Sequence, residues 1–155
     1  MIVIPSNAGL FNYRIAGVAI HNGRLLLHKS PNDDYWALPG GRAEIMERGA
    51  DTLRREMVEE LGVEVKVGGL RWVGECFFEH RGTRYHEIGL YFAMALPDRS
   101  PLFEQNEFNG DDGRLVFRWH PLGSLGGIRV EPDFVVPALG DESGQILHYV
   151  IDELN

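Results

Sequence analysis

The chain has little of three things, and each shortage excludes something. Cys76 is the only cysteine among 155 residues, so no internal disulfide can form and nothing points to an oxidising compartment. Positive charge is scarce: 15 Lys and Arg stand against 23 Asp and Glu, a formal net charge of −8. A nucleic-acid backbone is a poor general partner for such a chain, because holding it needs clustered cations. Long apolar runs are missing as well. Met1-Ile2-Val3-Ile4 is stopped by Pro5 and is too short for a signal or membrane segment. No later run approaches the ~18 uncharged apolar residues of a membrane helix. The expectation is a soluble cytoplasmic protein whose partners include no membrane and no nucleic-acid polymer. Small phosphorylated molecules stay compatible, because a bound metal ion reverses the local sign of charge. With 44% apolar and 25% charged residues the composition is that of an ordinary globular protein. The length suits one domain over residues 1–155 with a substantial core.

What the chain does have is concentrated between Leu38 and Val63, LPGGRAEIMERGADTLRREMVEELGV. Pro39-Gly40-Gly41 opens it as a loop able to bring its backbone close to a ligand. Gly49-Ala50 suits the start of a helix, with Asp51 in the first turn where a negative charge complements the helix dipole. Gly62 suits its end, where a left-handed residue stops a helix. At about 100° per residue, Ala50, Leu53, Met57 and Leu61 form an apolar side, and Glu56, Glu59 and Glu60 fall in an adjacent wedge. Like charges at i+3 and i+4 cost a few tenths of a kcal/mol each unless something neutralises them. Arg55 reaches Glu59 at i+4 but leaves the cluster negative. Three acidic oxygen donors on one rigid helix are what a hard divalent ion such as Mg²⁺ takes, usually sharing it with substrate phosphates. Taken alone, the same glutamates suit a solvated acidic face better than a metal site.

The spacing decides between the two. From Gly41, five residues lead to Glu47 and seven more to Arg55-Glu56, followed by Met57, Val58, Glu59-Glu60, Leu61, Gly62 and Val63. The pattern matches G-x5-E-x7-R-E-U-x-E-E-x-G-U, with U an apolar residue, at every specified position. The chain therefore resembles the Nudix hydrolases, whose box this is. Trp36, Leu38-Pro39-Gly40 and Glu44 also look like that family's approach to the box. The resemblance implies an α/β/α sandwich with a mixed β-sheet, and hydrolysis of a nucleoside diphosphate linked to another group, using Mg²⁺ or Mn²⁺. It implies that Glu56, Glu59, Glu60 and the Gly40 carbonyl are metal ligands, and that Glu47 and Arg55 form a supporting ion pair. Glu56, Glu60 and Arg55 are thus the candidate catalytic residues. The general base stays open among Glu56, Glu87, Glu104 and Glu107, because family members recruit it from different places. Dimerisation is implied only by the resemblance. Two rivals remain: a Nudix-like isomerase, for which Cys76 gives weak support, and a nucleotide-binding regulatory module, which an intact box disfavours.

Around the box the chain reads as sheet. Residues 13–20 and Arg24–Lys29 flank Asn22-Gly23, a hairpin signal, and Lys29 is a candidate phosphate contact as a point charge. Tyr35–Leu38 suits a short strand. Val63–Val67 alternates as a half-buried strand that Gly68-Gly69 would break. Leu70–Phe78 and Tyr85–Leu96 make a second hairpin about Arg81-Gly82, with His80 and His86 expected as exposed residues beside its turn. Among Phe77, Phe78, Tyr91 and Phe92, core packing competes with base stacking. Residues 97–113 read as a long loop holding Glu104 and Glu107, of the sort that serves as a lid. A strand at Leu115–Trp119, a turn or short helical piece from Pro121, a helix at Pro132–Leu139 covering the sheet opposite the box helix, and an element of open type at Gln145–Ile151 complete the chain.

Overall fold

Two sheets share the chain between them. A computed structural model describes residues 1–155, with strands β1 (Val3–Ser6), β2 (Gly9–Val18), β3 (Ile20–His21), β4 (Arg24–Lys29) and β5 (Gly40–Arg42), then helix α1 (Gly49–Leu61). Strands β6 (Lys66–His80), β7 (Thr83–Ala95), β8 (Glu107–Asn109) and β9 (Val116–Pro121), helix α2 (Val135–Leu139) and strand β10 (Leu147–Asp152) follow. The large sheet runs β1-β2-β7-β6-β10, with β5 beside β1 on the same edge of β2. It is mixed, since β2 pairs β7 and β6 pairs β10 in parallel while its other pairings are antiparallel. The small sheet runs β3-β4-β9-β8. No helix is long and apolar enough to cross a membrane.

The alternation of β2 builds a core on both faces of the large sheet. Ile15 points to one side, where it meets Leu53, Met57 and Leu61 of α1 together with Met94 and Trp119. Ala16 and Val18 point to the other, against Trp72, Tyr91 and the α2 residues Val135 and Ala138. The two helices therefore lie on opposite faces, as expected, and the layers are α/β/α. Each fully buried α1 side chain contributes about 1.5–3 kcal/mol. The helix ends where expected: Gly62 sits at φ 65, its N–H donating to the carbonyl of Val58.

Elsewhere tertiary pairing overrides local signals. The turn at Asn22-Gly23 forms, with both residues at positive φ. Its first strand is only Ile20–His21, however, because residues 9–18 belong to the other sheet. Tyr35–Leu38 is not a strand: Trp36 and Ala37 make isolated bridges, and the ladder forms instead at Gly40–Arg42. Gly68-Gly69 do not break β6. The register slips between Val67 and Trp72 as a bulge, since β7 continues opposite and holds both halves. Residues 63–65 stay outside that strand. The stretch 97–113 is no plain loop, for it contains a 3₁₀ turn at Pro101–Glu104 and β8. The second helix is shorter than expected, starting at Val135 rather than near Pro132, and the C-terminal element is a strand.

Candidate active site

The glycine pair has two different jobs. A Cβ on Gly40 would lie 2.0 Å from the Ile15 carbonyl oxygen, so its absence lets β5 pair with β2. A Cβ on Gly41 would lie 2.2 Å from Cδ of Glu56. Its absence lets that carboxylate lie over the loop. Arg55 then locks loop to helix. Its Nε and Nη2 donate to the two oxygens of Glu47 at 2.8 and 3.0 Å, and Nη2 also reaches the Arg42 carbonyl at 3.2 Å. The guanidinium bond is the chief reason the Glu47 carboxyl is held down at about 2, and Arg55 itself is shifted upward. Thr52 adds a second donor to Glu47 at 2.6 Å.

The three helix glutamates do not converge. Nη1 of Arg55 takes Glu56 at 2.9 Å and Glu59 at 3.3 Å, and the Glu59 side chain is 57% exposed. Glu60 turns the other way, into the protein. Its Oε2 is buried without a hydrogen-bond partner and lies 3.9 Å from Nδ1 of His28, itself buried and unpartnered. That separation is too long for a hydrogen bond. Burial, and next the charge of Glu56, push Glu60 up to about 8, while burial and then Arg14 push His28 down to about 3. Both shifts favour the neutral forms, and at 3.9 Å the pair makes no hydrogen bond. Glu56 is also raised, chiefly by burial. An orphaned buried carboxylate oxygen next to a second half-buried carboxylate fits a hard cation, which would replace the Glu60 proton.

A cavity of about 300 Å³ opens beside this corner. Arg14, His28, Lys29 and Arg42 are in its wall, though none of the α1 glutamates is. His28 faces Glu60, the Arg42 carbonyl accepts from Arg55, and the charge of Arg14 bears on Glu56 and Glu60. Lys29 lies with Nζ 5.2 Å from the Trp36 ring centre, and Arg14 donates to the Leu38 carbonyl at 2.9 Å. Glu87 faces this cavity, as do Phe78 and the half-buried His80, so His80 is not the exposed turn residue expected. Tyr91 is core, 2% exposed. Glu104 and Glu107 are exposed and outside the cavity wall. The acid of that segment whose charge bears on Glu60 is Asp112. Asn12, Arg14, His28 and Asp112 were not singled out from the sequence. A faint signal lay in Asn12, Arg14 and His28, polar residues inside largely apolar strands.

Comparison with known proteins shows the family and the fold. The NUDIX domain profile matches residues 12–138. YjhB of Bacillus subtilis (strain 168), provisionally named an ADP-ribose pyrophosphatase, is 27% identical over 85 residues, 54% of this chain. That match spans only 41% of the relative's length. A NUDIX hydrolase from Nitrosomonas europaea superposes with a TM-score of 0.65 at 18% identity, over 92% of this chain and 79% of that one. An ADP-ribose pyrophosphatase from Streptococcus suis 89-1591 superposes with a TM-score of 0.59 at 13% identity, over 88% and 98% of the two chains.

Proposed function

The chain belongs to the Nudix hydrolase family, and on that premise we propose that it is a Mg²⁺- or Mn²⁺-dependent pyrophosphohydrolase in which α1 carries the catalysis. The reading takes residues 1–155 as one catalytic unit acting on a small nucleoside diphosphate derivative. The observation that carries it is Glu60: a buried carboxylate with an orphaned oxygen, placed beside Glu56 and across from neutral His28.

Glu56 and Glu60 would hold the divalent ion with the carbonyl of Gly40, and Glu59 would join them by leaving Arg55 and turning inward. Such an ion, when bound, neutralises phosphate oxygens and makes a nearby water more acidic. The chain supplies the rest. Glu47 fixes Arg55, which keeps Glu56 over Gly41 and steadies the exposed Glu59. Arg14, Lys29 and Arg42 bring positive charge to the diphosphate from the cavity wall. Glu56, half-buried over Gly41, is placed for one of two duties, ligand of the ion or acceptor of the attacking water's proton. The products are a nucleoside monophosphate and a second phosphorylated fragment. Cys76 argues against the isomerase chemistry, since burial pushes its thiol up to about 12 and leaves no thiolate at neutral pH.

The names of the Bacillus and Streptococcus proteins favour ADP-ribose among the candidate substrates. The test is a panel of ADP-ribose, nucleotide sugars, nucleoside triphosphates and dinucleoside polyphosphates with Mg²⁺, scored for released phosphate fragments. Wild-type turnover should depend on metal and fall at least a hundredfold in Glu56→Gln. Unchanged metal-dependent turnover in Glu56→Gln and Glu60→Gln would refute the assignment.

A further inference from the structure

The turn that joins β8 to β9, residues 110–115, sits between the end of α1 and the cavity. Its base is fixed through backbone. The N–H of Gly110 donates to the Leu115 carbonyl at 2.9 Å, and the N–H of Asp111 to the Glu60 carbonyl at 2.6 Å. On its other side Leu115 is in the cavity wall, and the next residue, Val116, pairs with Lys29, which is in that wall too. The tip is thereby held beside both Glu60 and the cavity.

Arg114 is the one cation of this turn. Its side chain is 81% exposed and doubles back onto Asp112. Nε and Nη2 reach Oδ2 of Asp112 at 2.8 and 2.7 Å, and the Arg114 N–H donates to Oδ1 at 3.0 Å. Gly113, at φ 72, makes the reversal between them. The charge of Arg114 bears on both Glu60 and Glu56, and that of Asp112 on Glu60.

The other cations near the α1 carboxylates are tied into the fold. Arg55 has an acceptor for every nitrogen. Arg14 donates to the Leu38 carbonyl at 2.9 Å, and Lys29 lies over the Trp36 ring. Arg114 is held only by an exposed carboxylate of its own turn, a kind of pair that water screens and that contributes little. A phosphate offers the same planar guanidinium two acceptors and more charge than a carboxylate. A phosphate bound against α1 therefore competes with Asp112 for Arg114, and wins.

We propose that Arg114 is a phosphate contact held in reserve, leaving Asp112 to close on the diphosphate from the β8–β9 turn. The inference rests on the reading that α1 engages a diphosphate. It makes Asp112 a positioning residue that works against affinity, since it keeps Arg114 away from the ligand. Removing one partner of the pair must then act in the opposite direction to removing the other.

The experiment is calorimetric titration with α,β-methylene-ADP in Mg²⁺, a diphosphate that resists cleavage between its phosphorus atoms. Wild type, Arg114→Gln, Asp112→Asn and the double variant are compared; both positions are exposed, where substitution leaves the fold intact. Arg114→Gln should weaken binding at least about threefold, as for a lost bond to a charged group. Asp112→Asn should tighten it about two- to threefold, because an exposed pair holds Arg114 weakly. Once Arg114 is replaced, the same change at Asp112 should gain nothing. A merely structural turn would weaken binding in both single variants, and plain loss of a negative charge would help equally in both backgrounds. Either result overturns the proposal, as does a smaller loss in Arg114→Gln or a wild type that does not bind the probe. Hydrolysis of the substrate panel with Mg²⁺ is scored separately. Turnover without coupling between Asp112 and Arg114 keeps the hydrolase and removes Arg114 from it. Coupling without turnover keeps Arg114 as a diphosphate contact and removes the catalytic role of α1.

Discussion

Two corners of one helix, a turn apart, are built on opposite terms. At Arg55 every nitrogen has an acceptor: Glu47 twice, the Arg42 carbonyl, Glu56 and Glu59. At Glu60 the buried Oε2 has none, and neither does the facing His28 Nδ1. A satisfied network of charged hydrogen bonds fixes geometry in advance, whereas an unsatisfied buried group holds a free-energy cost that a ligand can relieve. On the proposed function, the first corner is scaffold and the second is where the ion would bind. Substitution at Glu60 should break this contrast most severely. Glu60→Gln should lose at least about a hundredfold in Mg²⁺-dependent kcat, more than is usual for a residue acting behind the ligands. Yet its metal-free Tm should hold or rise. An amide is neutral in both folded and unfolded chains, whereas burying Glu60 means protonating a carboxyl that is ionised when unfolded. A variant within tenfold of wild-type kcat would make Glu60 mere core.

The adjacent glycines sharpen the same distinction within the loop. Gly40→Ala forces a Cβ against backbone, 2.0 Å from the Ile15 oxygen, so β5 must leave β2. A loss of about 3 kcal/mol or more in denaturant unfolding is expected, at the high end for a single substitution. Gly41→Ala forces its Cβ against the end of a flexible side chain, 2.2 Å from Glu56 Cδ. Glu56 can swing aside, so stability should fall by about 1 kcal/mol while kcat falls at least tenfold. Equal stability losses in the two variants would erase the division of labour.

How far the sequence discloses this follows from which contacts are local. α1, its stop at Gly62 and the Glu47–Arg55 pair are written within 26 residues, where closeness along the chain sets most neighbours. The cavity is not so written. Asn12 meets Glu87, and His28 meets Glu60, only because β2 lies parallel to β7 and β4 lies beside the helix end. The wrong break at Gly68-Gly69 has the same origin. Glycine is a poor strand former in isolation, but a paired neighbour carries β6 through as a bulge. Likewise residues 97–113 look like a loop until β8 finds β9.

A smaller effect tests the satisfied corner. The Glu47 carboxyl is held at about 2, below its usual 4.5, by Arg55 first and Thr52 after burial. A depressed carboxyl stabilises the fold above its unfolded pKa, and the contribution disappears as pH falls through the folded value. Wild type should therefore lose part of its stability between about pH 4.5 and 2. Glu47→Gln should lack that part throughout, by about 1–3 kcal/mol at pH 7, and show a flatter acid limb in urea unfolding. Parallel pH profiles for the two proteins would mean that the Arg55 network is not paired in solution.

The smallest effect belongs to Glu104 and Glu107. Glu104 ends the 3₁₀ turn and Glu107 opens β8 opposite Arg118, both exposed and off the cavity wall. Their segment does touch the helix, but through backbone. The N–H of Asp111 donates to the Glu60 carbonyl at 2.6 Å, and a Cβ on Gly110 would sit 3.2 Å from that same oxygen. The segment thus docks against the end of α1 and positions Asp112, while its glutamates face outward. Glu104→Gln and Glu107→Gln should leave kcat within twofold and stability within about 0.5 kcal/mol, as for surface substitutions away from any site. A tenfold fall in kcat for either, with KM unchanged, would mean that the segment refolds over the substrate and brings that glutamate to the water. The open corner at Glu60 would then be completed from the loop rather than from α1 alone.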